Sequence, residues 1–109
     1  MRKLGTFWQA NICKVNQFGN RIKRLREHKS MLQRQVAAML DIDTPMLSKI
    51  ERGERNAKRD QVISLSKIYD VAEEELLSLW LSDQLLDILK DEKVALKALS
   101  VTMDAIHKK

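Results

Sequence analysis

The side chains of this 109-residue chain that could do chemistry are mostly cations. Lys and Arg number 20 against 15 Asp and Glu, and they are unevenly placed. Residues 1–59 carry 14 basic and 5 acidic side chains, residues 60–109 carry 6 and 10, so a front of +9 precedes a rear of −4. Such a front suits charge-assisted hydrogen bonding to a polyanion, and the acidic rear suits solubility or a protein partner. Other chemistries are poorly served. Cys13 is the only cysteine, which excludes an intramolecular disulfide and a cysteine metal cage. His28 and His107 stand far apart with no H-E-x-x-H pattern, and read as solvated residues at helix ends. No Ser-His-Asp set, Cys-His pair, paired carboxylates or glycine-rich phosphate loop has usable context, so the chain is expected to be no enzyme and to need neither metal nor cofactor.

The elements that must position those cations are helices. One Pro and three Gly leave little material for tight turns, and 44% hydrophobic with 32% charged residues fits one small folded domain. Residues 1–16, with Phe7 and Trp8, show no sustained period and read as an N-terminal arm. Phe18, Ile22 and Leu25 then repeat at helical spacing, predicting a helix over 17–29 with Asn16 as its N-cap. A second helix is expected over Gln33–Leu40. A third begins behind the cap Asp43, has Pro45 in its first turn, and ends near Arg52 because Gly53 supplies a positive φ. Val62, Leu65, Ile68 and Tyr69 mark a fourth helix. Glu73, Glu74 and Glu75 lead a fifth that runs to about Leu89, and Asp91 is expected to cap a last helix over 92–107.

Within Gln33–Arg52 the apolar residues Val36, Leu40, Ile42, Leu47 and Ile50, with the small Ala37, have the spacing of two short helices crossing steeply at a turn. That is the helix-turn-helix pattern, with Asp41 at the turn where Gly is usual.

The runs F-G-N-R-I-K-R-L-R at 18–26, L-Q-R-Q-V-A at 32–37 and S-K-I-E-R-G-E-R at 48–55, with the Tyr69-Asp70-Val71 break, resemble the Cro/phage-repressor (Xre-type) helix-turn-helix family over about 60 residues. The resemblance implies an all-α, lambda-repressor-like five-helix DNA-binding domain over 17–81, followed by an additional C-terminal helix within 82–109. Departures are Leu32 where Ser or Thr usually caps the second helix, Ser30 and Asp41 in place of Gly, and Ala57 where Pro is common. A structural ion pair of the family maps onto Arg26 and Glu51.

The same resemblance makes residues 44–52 the readout helix. Thr44, Pro45, Ser48 and Lys49 are expected at base edges in the major groove, with Met46 at the flank. Gln33 and Arg34 at the second helix, and Arg52, Arg55, Asn56, Lys58 and Arg59 at and beyond the third, are expected at phosphates. Leu85, Leu89, Leu96, Leu99 and Met103 belong to an apolar surplus in the tail, which either folds back or pairs with a second copy; pairing is favoured. The expected partner is double-stranded DNA with a palindromic operator, read by a homodimer acting as a cytoplasmic repressor or autoregulator of bacterial or phage origin. No apolar run reaches the roughly 18 residues of a membrane span, and the N-terminus lacks the apolar core of a signal peptide. Two alternatives use the same motif: an antitoxin with a toxin partner, and a restriction-modification controller. A third is a scaffold without DNA affinity, which a flat response of binding to salt would support.

Overall fold

The computed structural model describes residues 15–108, which form six helices: α1 Gln17–His28, α2 Gln33–Leu40, α3 Thr44–Glu51, α4 Arg59–Ile68, α5 Glu73–Leu89 and α6 Ala95–His107. Residues 1–14, and with them Phe7, Trp8 and Cys13, lie outside the described residues.

Each start and stop has a local cause. Asn16 caps α1, its Oδ1 accepting from the Gly19 N–H at 3.1 Å, and Asp43 caps α3 by accepting from the Met46 N–H at 2.8 Å. Leu32 has no side-chain acceptor to offer, and the structure supplies the reciprocal half of a capping box instead: Gln35 Oε1 accepts from the Leu32 N–H at 2.8 Å. Gln61 does the same for Lys58 at the start of α4. Left-handed backbone appears at Ser30 (φ 57°) and Asp41 (φ 59°), the two positions where glycine was missing, and at Asp70 (φ 55°). Gly53 (φ 78°) follows the end of α3 as expected.

The last helix departs from expectation. It begins at Ala95, with Val94 at its cap position and no side-chain cap bond. The Glu92 N–H bonds to the Leu89 carbonyl at 3.0 Å, closing a turn through Lys90 and Asp91. Asp91 is thus inside a turn that prolongs α5, where it cannot adopt the extended backbone of an N-cap.

The core takes Phe18 and Ile22 from α1, Val36 and Ala37 from α2, Leu47 and Ile50 from α3, Val62 and Leu65 from α4, and Leu76 from α5, with Ala57 and Tyr69 from the connections. Leu40 and Ile42, expected inside, are half-buried against it. α5 lies along α1 and α4, and α3 is wedged against α2 and α1. Trp80 on α5 donates its Nε1–H to the Ala57 carbonyl at 2.9 Å, which pins the loop after α3. Asp83 reaches the opposite way: its two carboxylate oxygens accept the N–H groups of Gln17 and Phe18 at 3.1 and 2.9 Å, satisfying donors left open at the start of α1. The expected domain boundary after Leu81 therefore falls inside α5, and residues just beyond it hold α1. No residue of α6 is buried.

Glu51, the last residue of α3, is the fixed point of this arrangement. Its side chain is 2% exposed. Oε2 accepts from Arg26 Nε at 2.8 Å, and Oε1 accepts from Arg26 Nη2 at 3.1 Å and from Gln33 Nε2 at 2.9 Å. Arg26 also donates Nη1–H to the Met31 carbonyl at 3.0 Å. The Glu51 backbone carbonyl accepts from Asn16 Nδ2 at 2.7 Å. α1 comes so close here that a Cβ on Gly19 would stand 2.5 Å from that carbonyl oxygen, so only glycine fits. The hydrogen bonds to Glu51 hold Arg26 firmly protonated, with its pKa raised above the ordinary arginine value. Among the described residues the buried Tyr69 hydroxyl has no hydrogen-bond partner, and burial first, then the Glu51 charge, push its pKa well up.

Removing one partner of a buried pair leaves the other charge unpaired. Glu51→Gln is expected to lower unfolding stability by about 3 kcal/mol, measured by urea denaturation. A loss below about 1 kcal/mol would mean that Arg26 and Gln33 find other partners.

Candidate nucleic-acid interface

α3 has one buried side and one wet side. Leu47, Ile50 and Glu51 are turned inward. Pro45, Lys49 and Arg52 are exposed, and Thr44, Met46 and Ser48 are half-buried at the margins. The four residues expected at base edges, Thr44, Pro45, Ser48 and Lys49, are thus all off the buried side, on a helix whose inner stripe is held by the core and whose end is held by Glu51.

The residues expected at phosphates lie on both sides of α3. Gln33 opens α2, half-buried, with Arg34 exposed beside it. The Gln33 amide has a second task not foreseen from the sequence, since one of its N–H groups goes to Glu51. The expected phosphate role would fall to its other N–H and to the open backbone donors of the first turn of α2. Arg55, Asn56 and Lys58 are exposed in the loop after α3, and Arg59 opens α4. The Arg59 guanidinium lies over the Trp80 ring, 6.0 Å from its centroid, so that α5 holds the far end of the loop through ring and indole N–H alike.

A shallow cleft joins these parts. Gln33, Ser48 and Arg52 line it together with Asn20 and Lys23 of α1. Those two α1 residues were not singled out from the sequence. Their neighbourhood to α3 arises only from the close packing at Gly19, and the one local signal was that Lys23 belongs to the basic exposed side of α1. Glu54 is not among the residues expected at DNA; in the structure it pairs with Arg52, whose Nε lies 2.9 Å from Glu54 Oε2.

The tail residues expected to mediate pairing lie on two helices and differ in exposure. Leu85 is exposed and Leu89 half-buried on α5; Leu96 and Met103 are exposed and Leu99 half-buried on α6. Leu81 and Ile88 extend the α5 face, and Ile106 the α6 face. His28 and His107 sit in the last turns of α1 and α6. Among the described residues no group of three His, Cys, Asp or Glu is placed to hold a metal, and no helix is long and apolar enough to cross a membrane.

Comparisons with known proteins meet this geometry in one segment. A family model described as helix-turn-helix matches residues 22–76, half of the chain, from the first turns of α1 into α5. The control protein C.MunI of a Mycoplasma species is 42% identical over 52 residues, 47% of this chain and 66% of that protein, so the chain spans a little under two thirds of that relative. Among solved structures, the restriction-modification controller protein C.AhdI from Aeromonas hydrophila is similar with a TM-score of 0.52 and 28% identity, over 62% of this chain and 94% of its own. The matched segment is the same one in which two short helices meet at the left-handed Asp41 and α3 is locked by Glu51, and the chain belongs to the helix-turn-helix family.

Proposed function

We propose that this protein is a sequence-specific DNA-binding transcriptional regulator, of the controller kind found in restriction-modification systems, that works in the cytoplasm and inserts α3 into the major groove. The observation that carries the reading is the set Thr44, Pro45, Ser48 and Lys49 on the wet side of a rigidly held helix, flanked by cations at both ends. Lys49 is the residue suited to guanine O6 and N7, and Ser48 to either partner of a base pair; Thr44 and Pro45 suit a thymine methyl or a phosphate. Gln33 and Arg34 on one side, and Arg55, Asn56, Lys58 and Arg59 on the other, would hold the two backbones bordering the groove. The protein performs no chemistry of its own in this reading.

The controller reading is favoured over an antitoxin because C.MunI and C.AhdI are both controllers by name. Its genomic neighbours decide between them: a methyltransferase and endonuclease pair for a controller, a small toxin gene for an antitoxin.

A homodimer fits the same reading, since helix-turn-helix dimers bind half-sites about 34 Å apart and mirror a palindromic operator. The exposed apolar residues Leu85, Leu96 and Met103, with the half-buried Leu89 and Leu99, supply surface for pairing.

Selection of bound duplexes from a random pool tests binding, symmetry and spacing together; a failure to enrich any sequence would sink the reading. Against the selected duplex, Lys49→Ala is expected to cost roughly 1–3 kcal/mol at one base-pair position and to relax preference there, as single-position variants would report. Lys58→Ala is expected to weaken all duplexes alike and to lower the slope of log affinity against log salt by about one unit. In sedimentation, Leu85→Glu combined with Met103→Glu is expected to halve the mass of the particle; an unchanged dimer would move the interface elsewhere.

A further inference from the structure

An arginine at the end of a recognition helix commonly reaches outward to the sugar-phosphate backbone. Arg52 is held differently. Its Nε donates to Glu54 Oε2 at 2.9 Å and its Nη2 to Glu54 Oε1 at 3.1 Å, a two-pronged grip on one edge of the guanidinium. Its Nη1 donates to the Ser48 hydroxyl oxygen, one helical turn back. The side chain therefore lies back along the wet flank of α3, beside a base-reading position. Arg52 and Glu54 are about half exposed, at 52% and 55%. The hydrogen bond to Glu54 raises the Arg52 pKa, and Arg52, then the nearby Lys49 charge, keeps the Glu54 carboxyl below its ordinary range, so the pair stays ionised at neutral pH.

The donors can be followed one by one. A guanidinium has five N–H groups, one on Nε and two on each terminal nitrogen. Glu54 takes the Nε–H and one N–H of Nη2, and Ser48 takes one N–H of Nη1. One N–H on each terminal nitrogen is left, enough donors to meet guanine O6 and N7 together when both lie on the outer edge of the fork. Holding the planar fork in advance removes rotamer freedom that would otherwise be lost on binding.

We propose that Glu54 is a positioning residue which, with Ser48, aims Arg52 at a guanine edge in the major groove, so that Arg52 reads a base and is not a backbone contact. The proposal rests on the insertion of α3 into DNA. A carboxylate at that surface repels phosphate and lowers affinity for every sequence; its gain is discrimination at one position.

The test uses the full chain and the duplex selected from a random pool, with its single-base-pair variants, at several salt concentrations. Wild type is expected to prefer one G·C pair in each half-site by about tenfold. Arg52→Ala is expected to abolish that preference and no other. Glu54→Gln is expected to reduce it to about threefold or less, with preferences elsewhere and the thermal midpoint unchanged, because an exposed pair adds little stability. Two results would overturn the proposal: Arg52→Ala weakening all variants alike with a salt slope lower by about one unit, or Glu54→Gln tightening all of them with the guanine preference intact. Absence of any preferred sequence for wild type would count against DNA reading by α3 itself, before the variants are compared.

Discussion

The carboxylate of Glu51 is the constraint on which the rest of the structure depends. It is a buried charge, and such a charge is tolerated only when paired and fully hydrogen-bonded. Arg26 from α1 and Gln33 from α2 meet that requirement with three N–H bonds, and the Glu51 carbonyl takes a fourth from Asn16. One residue at the end of α3 thereby fixes the directions of α1 and α2 relative to α3. An apolar core alone would hold α3 down with more freedom to slide, since hydrophobic contact has no direction. The arrangement sets the wet side of α3, and with it the side chains offered to a partner, to within hydrogen-bond tolerance.

The connections reach the same end by substitution. A left-handed residue without glycine carries a steric cost that Asn and Asp bear better than most. Asp41 and Asp70 use that tolerance, and Ser30 adopts the same conformation before α2. The caps follow the same logic: where Leu32 and Lys58 have no acceptor to offer a helix start, Gln35 and Gln61 reach back from the first turn. Three of the six helices are only 8 or 10 residues long, and helices that short depend on their ends and on packing to exist.

The opposed charges of the two halves acquire a spatial meaning. The acidic start of α5 places Glu73, Glu74 and Glu75 in its first turn, where the helix dipole favours them. Glu75 pairs with Arg21 of α1 across the junction between the halves. Farther along α5, Asp83 caps α1 and Trp80 holds the loop that carries Arg55, Asn56 and Lys58. α5 is therefore less a support behind the basic front than the element that clamps both ends of it. Among the described residues no side chain of α6 is hydrogen-bonded to another element, and its Leu96, Val101, Met103 and Ile106 are exposed.

Much of this was legible in the order of residues, and the reason is locality. Helical spacing, the caps Asn16 and Asp43, the stop at Gly53 and the acid-led start of α5 act over three or four residues, so the approximate bounds of α2 and α5 and the helix-turn-helix spacing could be recognised. The ion pair of Arg26 with Glu51 was legible only through family resemblance, because nothing local ties residues 25 positions apart. What tertiary structure alone decided are the contacts between distant residues: Asn16 and Gly19 against the end of α3, Asp83 on the start of α1, Gln33 on Glu51, and Asn20 and Lys23 beside α3. The start of α6 was misplaced for the converse reason, since Asp91 looks like a cap until the turn that carries α5 past Leu89 uses its backbone. Composition and period determined which residues are inside and which helix faces outward; only the packing of backbone against backbone decided which polar groups satisfy one another and which are left for a partner.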